Sequence, residues 1–185
     1  MSTTIVFSGV AIPLRETAAT LTIGDFPTAR FGWSVTAGGI VTGSIDGRDV
    51  RGGGTLGGSA TWLAVYERAA RPFVAVSASL GTALIRGVAD DGSTHAWSAW
   101  DLRGGAIVGK TFAGRLVPYL AARAFGGPVF WHRGTASETG TDRYHVTVGL
   151  GVTVRMPARF DVTLEVMPLG ERSATAGLTW HFSVE

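Results

Sequence analysis

The sequence predicts an all-β protein, a closed antiparallel sheet whose strands run up and down. First, apolar and polar residues alternate with a period of two along most of the chain, which is the side-chain period of a strand. Second, glycine accounts for 27 of 185 residues and interrupts the candidate helices, at a cost of about 1 kcal/mol each. Third, 45% of the residues are hydrophobic, yet no stretch reaches the roughly 20 continuous apolar residues of a membrane helix.

Composition narrows the class of protein. The net charge is +2 and Lys110 is the only lysine, so nothing indicates a nucleic-acid partner. Cysteine is absent, which excludes disulfides, thiolate zinc sites and thiol catalysis. We expect no cofactor and no metal site. The start Met-Ser-Thr-Thr lacks the features of a signal peptide, so we expect the mature chain of an exported protein.

Strands are predicted in order along the first half of the chain. Residues 3–12 and 17–26 form an N-terminal pair with the weakest alternation. Residues 31–38 alternate cleanly, with their aromatic and aliphatic side chains on one face. Residues 56–67 give a mixed strand. Residues 72–86 give another, whose larger side chains share one face: Val74, Val76, Ala78, Leu80 and Leu84.

The second half has the clearest alternation. Residues 100–109 and 117–130 are followed by three strands with one apolar face each, at 144–156, 160–166 and 173–184. In the first of these three, the apolar face consists of Tyr144, Val146, Val148, Leu150, Val152, Val154 and Met156. Glycine, threonine, His145 and Arg155 occupy the opposite face, because successive side chains of a strand point to opposite sides.

The connections form two classes. The segments 27–30, 69–72, 113–116 and 157–159 are short, and each contains an arginine. The segments 44–54, 87–94 and 134–143 are longer and polar, with 13–16 and 169–172 as shorter members of that class. Strands joined in this way have short turns at one end of the sheet and loops at the other.

The two faces indicate which side of the wall meets lipid. The polar face is mostly glycine, serine and threonine, whereas a soluble sandwich has a charged outer face. A barrel in lipid instead needs an apolar exterior, aromatic girdles and a polar interior. We assign the interfacial aromatic residues as Phe31, Trp33, Trp100, Phe112, Tyr144, Phe160, Trp180 and Phe182.

These features resemble the small bacterial outer-membrane β-barrels of the OmpA/OmpX type. The resemblance covers the chain from about residue 31 to the end, and rests on the alternating strands, the two classes of connection and the ending Leu-Thr-Trp-His-Phe-Ser-Val-Glu. Members of that family usually end on an aromatic residue, whereas Phe182 here stands three residues before the end. The segment 165–171 also resembles the penultimate hairpin of such proteins.

The resemblance and the pattern together predict one transmembrane barrel domain over residues 1–185. Eight strands run from Phe31 to Glu185, and an N-terminal hairpin brings the count to ten, which keeps the even number of bacterial barrels. The alternative is eight strands, with residues 1–29 as an extension or plug.

Charged residues on the polar face predict a network in the lumen, because an unpaired buried charge is costly. Its members are Asp101, Arg103, Arg123, His145, Arg155, Asp161, Glu165 and His181. One interpretation is a set of structural ion pairs that fills the lumen. The other is a narrow or gated pore for small solutes.

Two enzyme classes give alternatives at the loop end. Asp90 and Asp91 precede His95, and His132, Asp142 and His145 flank a second loop, as in the carboxylate–histidine pairs of omptin proteases. Ser93, His95 and Asp91 also offer the residue types of a lipid acyltransferase of the PagP kind. Gly52–Gly58 lacks the lysine and helix of a phosphate-binding loop.

We therefore expect a monomeric, non-enzymatic outer-membrane barrel in contact with membrane lipid. Its role is structural support, surface interaction through the loops, or passage of small solutes. A rim enzyme and a soluble lipocalin-like carrier of an apolar ligand are the alternatives. The carrier needs an apolar interior, so the face on which the tryptophans lie decides between them.

Overall fold

A computed structural model describes residues 1–88, 94–133 and 136–181. Twelve strands form one antiparallel sheet, and the short 3-10 turn η1 (Pro157–Arg159) joins β10 to β11. The strands are β1 (Ser2–Phe7), β2 (Val10–Asp25), β3 (Phe31–Ile45), β4 (Arg48–Val65), β5 (Phe73–Val88), β6 (Thr94–Gly109), β7 (Leu116–Gly126), β8 (Pro128–Arg133), β9 (Ala136–Asp142), β10 (Val146–Met156), β11 (Phe160–Leu169) and β12 (Ser173–Trp180). Within the described residues no helix has the length and apolar character needed to cross a membrane.

Two hairpin turns are tighter than the sequence predicts. Ser8 and Gly9 have φ angles of 46° and 85°, and Asp46 and Gly47 have 54° and 75°. Two consecutive positive φ angles are typical of the two-residue turns that match the twist of a hairpin. The predicted connections at 13–16 and 44–54 are therefore wrong, since most of those residues belong to strands.

A traversal is one passage of the chain from one end of the sheet to the other. Two of the traversals are each divided into two strands. β6 pairs with β7 through Leu102–Gly109 and with β8 through His95–Ala99, so β7 and β8 follow one another along the same neighbour. β9 and β10 follow one another in the same way along β8 and β7. The twelve strands thus make ten traversals. Residues 136–142, predicted as part of a loop, form β9.

The predicted contrast between short turns at one end and longer loops at the other is wrong for the described connections, since the turns at Ser8–Gly9 and Asp46–Gly47 are shorter than the connections 26–30, 66–72 and 110–115. The end with the connections 26–30, 66–72, 110–115 and 157–159 is called the turn end. The opposite end, with Ser8–Gly9 and Asp46–Gly47, is called the loop end. The β11–β12 hairpin is shorter than its neighbours and stops part-way up the wall, where Arg172 bridges to Ser2 at the start of β1.

Eight strands pair in a ring through the loop-end half. Starting from Thr20, successive partners lead around the ring and back to β2 at Val10, ten residues away: Gly38, Thr55, Ala83, Ala99, Val129, Gly140, Phe7 and Val10. A stagger of this size over eight strands corresponds to a strand tilt of roughly 40° and a backbone diameter of about 16 Å. Side chains alone fill so narrow a ring.

An apolar core lies inside the loop-end half of the ring. Phe7, Trp97 and Trp131 are buried, and the Trp131 ring lies 5.6 Å from Phe7 and 5.7 Å from Trp97 between centroids. Aliphatic side chains complete the cluster: Ile5, Ile12, Leu14, Ile40, Ile45, Val50, Ile85 and Val129. The expectation of an interior that is polar throughout is corrected here. The inward positions of the N-terminal hairpin are apolar, and they meet two tryptophans across the ring.

Candidate functional site

The middle of β6 places charge and apolar surface on opposite faces. Asp101 and Arg103 are half-buried, while the alternating neighbours Trp100 and Leu102 are 49% and 63% exposed. The two-residue period of a strand produces this separation. The charged face is therefore the inner face, and the apolar face is the outer one.

Arg103 is the centre of the first ion network. Its Nη2 donates to Oε2 of Glu171 at 2.9 Å, its Nη1 donates to Oε1 at 3.3 Å, and its Nε donates to Asp101. The guanidinium carbon also lies 5.0 Å from the ring centre of Phe125. Glu171 has a buried side chain, with 6% of its area exposed. A fork of two parallel bonds fixes both groups more firmly than one bond does.

A second network lies nearer the turn end. The Arg123 guanidinium donates to both oxygens of Glu165, at 2.7 and 2.9 Å, and the Tyr119 hydroxyl donates to the same carboxylate at 3.2 Å. Arg123 is the partner of Gly105 on β6. That glycine leaves space, since a Cβ there would lie 3.0 Å from the Arg123 side chain.

Hydroxyl pairs line much of the remaining inner face. Thr22 and Thr36 lie 2.7 Å apart between their hydroxyl oxygens, and Thr153 and Thr163 lie 2.9 Å apart. Ser34 and Ser59 make a third pair, at 2.8 Å. Each pair joins neighbouring strands, so the polar face binds itself rather than a ligand.

The structure brings some predicted lumen residues together and separates others. Asp101 with Arg103 and Arg123 with Glu165 form ion pairs. Asp161 pairs with His181 at 2.9 Å near the turn end, where the histidine side chain is 58% exposed. Arg155 and His145 are exposed and do not join either network.

Sequence reasoning missed Glu171 and Tyr119. Glu171 falls in the segment 169–172, which was assigned to a connection, and a turn residue gives no alternation signal. Tyr119 precedes Arg123 by four residues, and nothing in the pattern indicates its bond to β11. The sequence offers one signal for the role of Glu171, which is the position of a carboxylate next to a short hairpin turn.

The outer face carries continuous apolar rows. Val108 lies opposite Leu120, Leu120 opposite Leu150, and Leu150 opposite Val166, so one row crosses four strands. All four side chains are exposed, by 42% to 64%. Leu80 and Leu102 form a second pair on β5 and β6.

The predicted aromatic residues lie mostly on this outer face. Trp33, Trp100, Phe112, Tyr144 and Trp180 are exposed, and Phe31 and Phe160 are half-buried. Phe160 and Trp180 stack with their ring centres 6.0 Å apart. Phe182 lies outside the described residues. The prediction omitted Trp62, which is exposed and opposite Phe31.

The turn end is tied together by Glu67. Its carboxylate accepts bonds from the Thr111 hydroxyl at 2.7 Å and the Thr111 N–H at 2.9 Å, and Lys110 Nζ lies 3.8 Å away. The hydroxyl bond, then the backbone bond, holds the pKa of Glu67 below its usual range, since both favour the charged carboxylate. This contact joins the turn at 66–72 to the turn at 110–115.

Among the residues of the two enzyme alternatives, the structure describes the side chains of His132, Asp142 and His145 alone, and these three do not assemble into a site. Asp90, Asp91 and Ser93 lie outside the described residues, and only the backbone of His95 is described. His132 is exposed, and Asp142 accepts a bond from Thr3 at 3.4 Å. Within the described part of the chain, neither His132 nor His145 forms an ion pair with Asp142, and no group of acidic or histidine side chains could hold a metal ion.

Comparison with known proteins identifies no relative, since no family model, curated protein or solved structure matches the chain.

Proposed function

We propose that this chain is an integral β-barrel of the bacterial outer membrane, non-enzymatic, with a filled interior, which supports the membrane structurally or interacts through its loop end. The observation that carries the proposal is the apolar outer face. The described chain exposes more large apolar side chains than it buries. They form rows across paired strands, such as the row from Val108 to Val166.

Lipid explains this surface better than water does. Soluble monomers rarely expose continuous apolar patches larger than a few hundred Å². A lipid-facing wall needs such a surface, with aromatic residues at its borders. Trp180, Phe160 and Phe112 supply aromatic rings near the turn end. The roughly 40° strand tilt derived from the register lies in the range of transmembrane barrels.

The interior supports a filled barrel over an open pore. The Arg103–Glu171 and Arg123–Glu165 pairs occupy the middle, and the Phe7, Trp97 and Trp131 rings occupy the loop-end half. The same observation weighs against a lipocalin-like carrier, because an apolar ligand would have to displace packed rings or paired ions.

Two tryptophans on β6 provide the test. Trp97 is buried inside the ring, with 5% of its area exposed, and Trp100 is 49% exposed on the outer face. Two variants are made, each of which keeps one of these residues and has phenylalanine at the other five tryptophan positions. Both are refolded into vesicles of brominated phosphatidylcholine. We expect strong quenching of Trp100 fluorescence and weak quenching of Trp97 fluorescence.

Two outcomes contradict the proposal. One is equal quenching of Trp97 and Trp100 in variants that both show heat-modifiable migration. The other is a wild-type protein that is monodisperse in buffer without detergent and does not enter the vesicles.

A further inference from the structure

Two strands of the turn-end half have an open edge. Residues 17–25 of β2 pair with β3, and residues 174–179 of β12 pair with β11. Within the described part of the chain, neither segment has a strand on its other side. The space between these two edges is called the slit. Both segments are exposed on both faces.

The direction of the two edges determines what fits between them. Eight antiparallel steps separate β2 from β12 along the sheet, so the two strands run in the same direction. Direct closure would need a parallel pair. A single strand that runs the opposite way would be antiparallel to both edges, and it would bond their N–H and C=O groups.

Met1 and Ser2 already occupy the loop-end limit of the slit with this geometry. Ser2 and Arg172 exchange backbone bonds of 2.7 and 3.0 Å. On the other side, Met1 and Glu16 exchange bonds of 2.7 and 3.0 Å. One short strand end is thus antiparallel to β2 and to the β12 side at the same level. Crevices lie on both sides of Met1, along β2–β3 and along β11–β12.

We propose that the slit binds an extended segment of another polypeptide, about nine residues long, which runs toward Met1 and pairs with both edges. The length follows from the open residues 17–25 of β2. The inference uses strand pairing alone, so it does not depend on the membrane location.

The edges also specify the side chains of this segment. Leu21, Ile23 and Leu178 face outward and are 58% to 70% exposed, so apolar residues suit the outward positions. Thr20, Thr175 and Gly177 face inward, where small polar residues suit a narrow interior. A partner segment that alternates small polar and apolar residues meets both requirements.

A second copy of this chain is the less suitable occupant. When two copies have the same orientation in the membrane, β2 and β12 of the second copy run in the same direction as β2 and β12 of the first. Neither edge could then pair antiparallel in the slit.

Cysteine cross-linking tests the proposal, because the chain has no cysteine of its own. Ser2 is opposite both Arg15 and Arg172, and Thr20 and Gly177 lie five positions further along each strand. Thr20→Cys and Gly177→Cys therefore face the same inserted residue. The probe is the peptide Leu-Thr-Val-Thr-Val-Cys-Val-Thr-Leu, activated at its cysteine, whose sixth residue lies opposite Thr20 when its last residue lies opposite Thr17. The control site is Thr55→Cys, which faces inward on a strand paired on both sides.

We expect both edge variants to form the mixed disulfide at least about tenfold faster than Thr55→Cys, since exchange rates depend on access and orientation. A peptide of the same composition without the alternation should lose this advantage. Heat-modifiable migration of each variant shows that it is folded.

A separate variant provides the contrary outcome. Thr20→Cys/Gly177→Cys is compared with Thr22→Cys/Thr36→Cys, whose native hydroxyls lie 2.7 Å apart. If Thr20→Cys/Gly177→Cys forms a disulfide as fast as Thr22→Cys/Thr36→Cys, then β2 and β12 pair directly with each other. That result overturns the proposal. Peptide labelling no faster than at Thr55→Cys also overturns it.

Discussion

Arg103 on β6 and Glu171 in the β11–β12 turn are 68 residues apart in sequence, and two parallel hydrogen bonds join their side chains. Because the Glu171 side chain is buried, the loss of its partner leaves a carboxylate without compensation. The bridge also joins the short β11–β12 hairpin to β6, which lies three strands from β11 along the sheet.

Arg103→Met should lower the free energy of unfolding by about 3–5 kcal/mol, the range for breaking one side of a buried ion pair. Urea unfolding in detergent micelles measures it. His181→Gln, which removes the exposed pair with Asp161, should cost no more than about 1 kcal/mol. Equal effects of the two substitutions would show that the Arg103 network does not stabilise the interior.

Trp131→Ala should destabilise the protein by about 3–5 kcal/mol, because it empties part of the packed cluster with Phe7 and Trp97. The same truncation at Trp100 leaves no internal cavity and should have a clearly smaller effect. Thermal unfolding of both variants in the same detergent gives the comparison. A larger effect at Trp100 would contradict the assignment of inner and outer faces.

Leu80→Arg should cost about 2–4 kcal/mol in lipid vesicles if the outer face meets acyl chains. Leu80 lies in the middle of β5 and is 53% exposed. Leu116→Arg is the matched control, because Leu116 is 45% exposed on the outer face where β7 begins at the turn end, and there the same charge should cost about 0–1 kcal/mol. A negligible effect at Leu80 in folded, vesicle-bound protein would argue for an outer face in water.

Glu67→Gln should remove a stabilisation that depends on pH. The folded-state pKa of Glu67 is lowered by its bonds to Thr111, so its contribution is present above the ordinary glutamate range and is lost as the pH falls through the folded pKa. Wild type should therefore be more stable than the variant at neutral pH, and this difference should shrink in acid. Thr111→Val should reduce the same difference, and a gap independent of pH would contradict the assignment.

The purified protein should give no steady conductance in a planar bilayer, because ion pairs and aromatic rings fill the interior. Trp97→Ala/Trp131→Ala removes two of the rings and should raise the ion permeability of vesicles, measured with an ion-sensitive dye enclosed in them. Stable single-channel steps in wild type would favour the pore interpretation instead.

The sequence alone predicted the class of fold and the chemistry of the outer wall. Alternation along 144–156 and 160–166 sets which side chains share a face, because the strand period is fixed by the backbone. For that reason Val148, Leu150 and Leu164 could be assigned to one face, and the short turn at 157–159 could be placed. Ten traversals with an N-terminal hairpin also follow from the pattern, although its turn lies at Ser8–Gly9.

Only the tertiary structure decided how the interior is filled. Period two separates two faces but does not say how far along the wall an inward position lies, or which residue stands opposite. Glu171 reaches Arg103, and Trp131 stacks on Trp97, through the stagger of strands distant in sequence. The same stagger leaves β2 and β12 with open edges. The two strands are far apart in sequence, and their relative direction is known only once all the strands between them are paired in order.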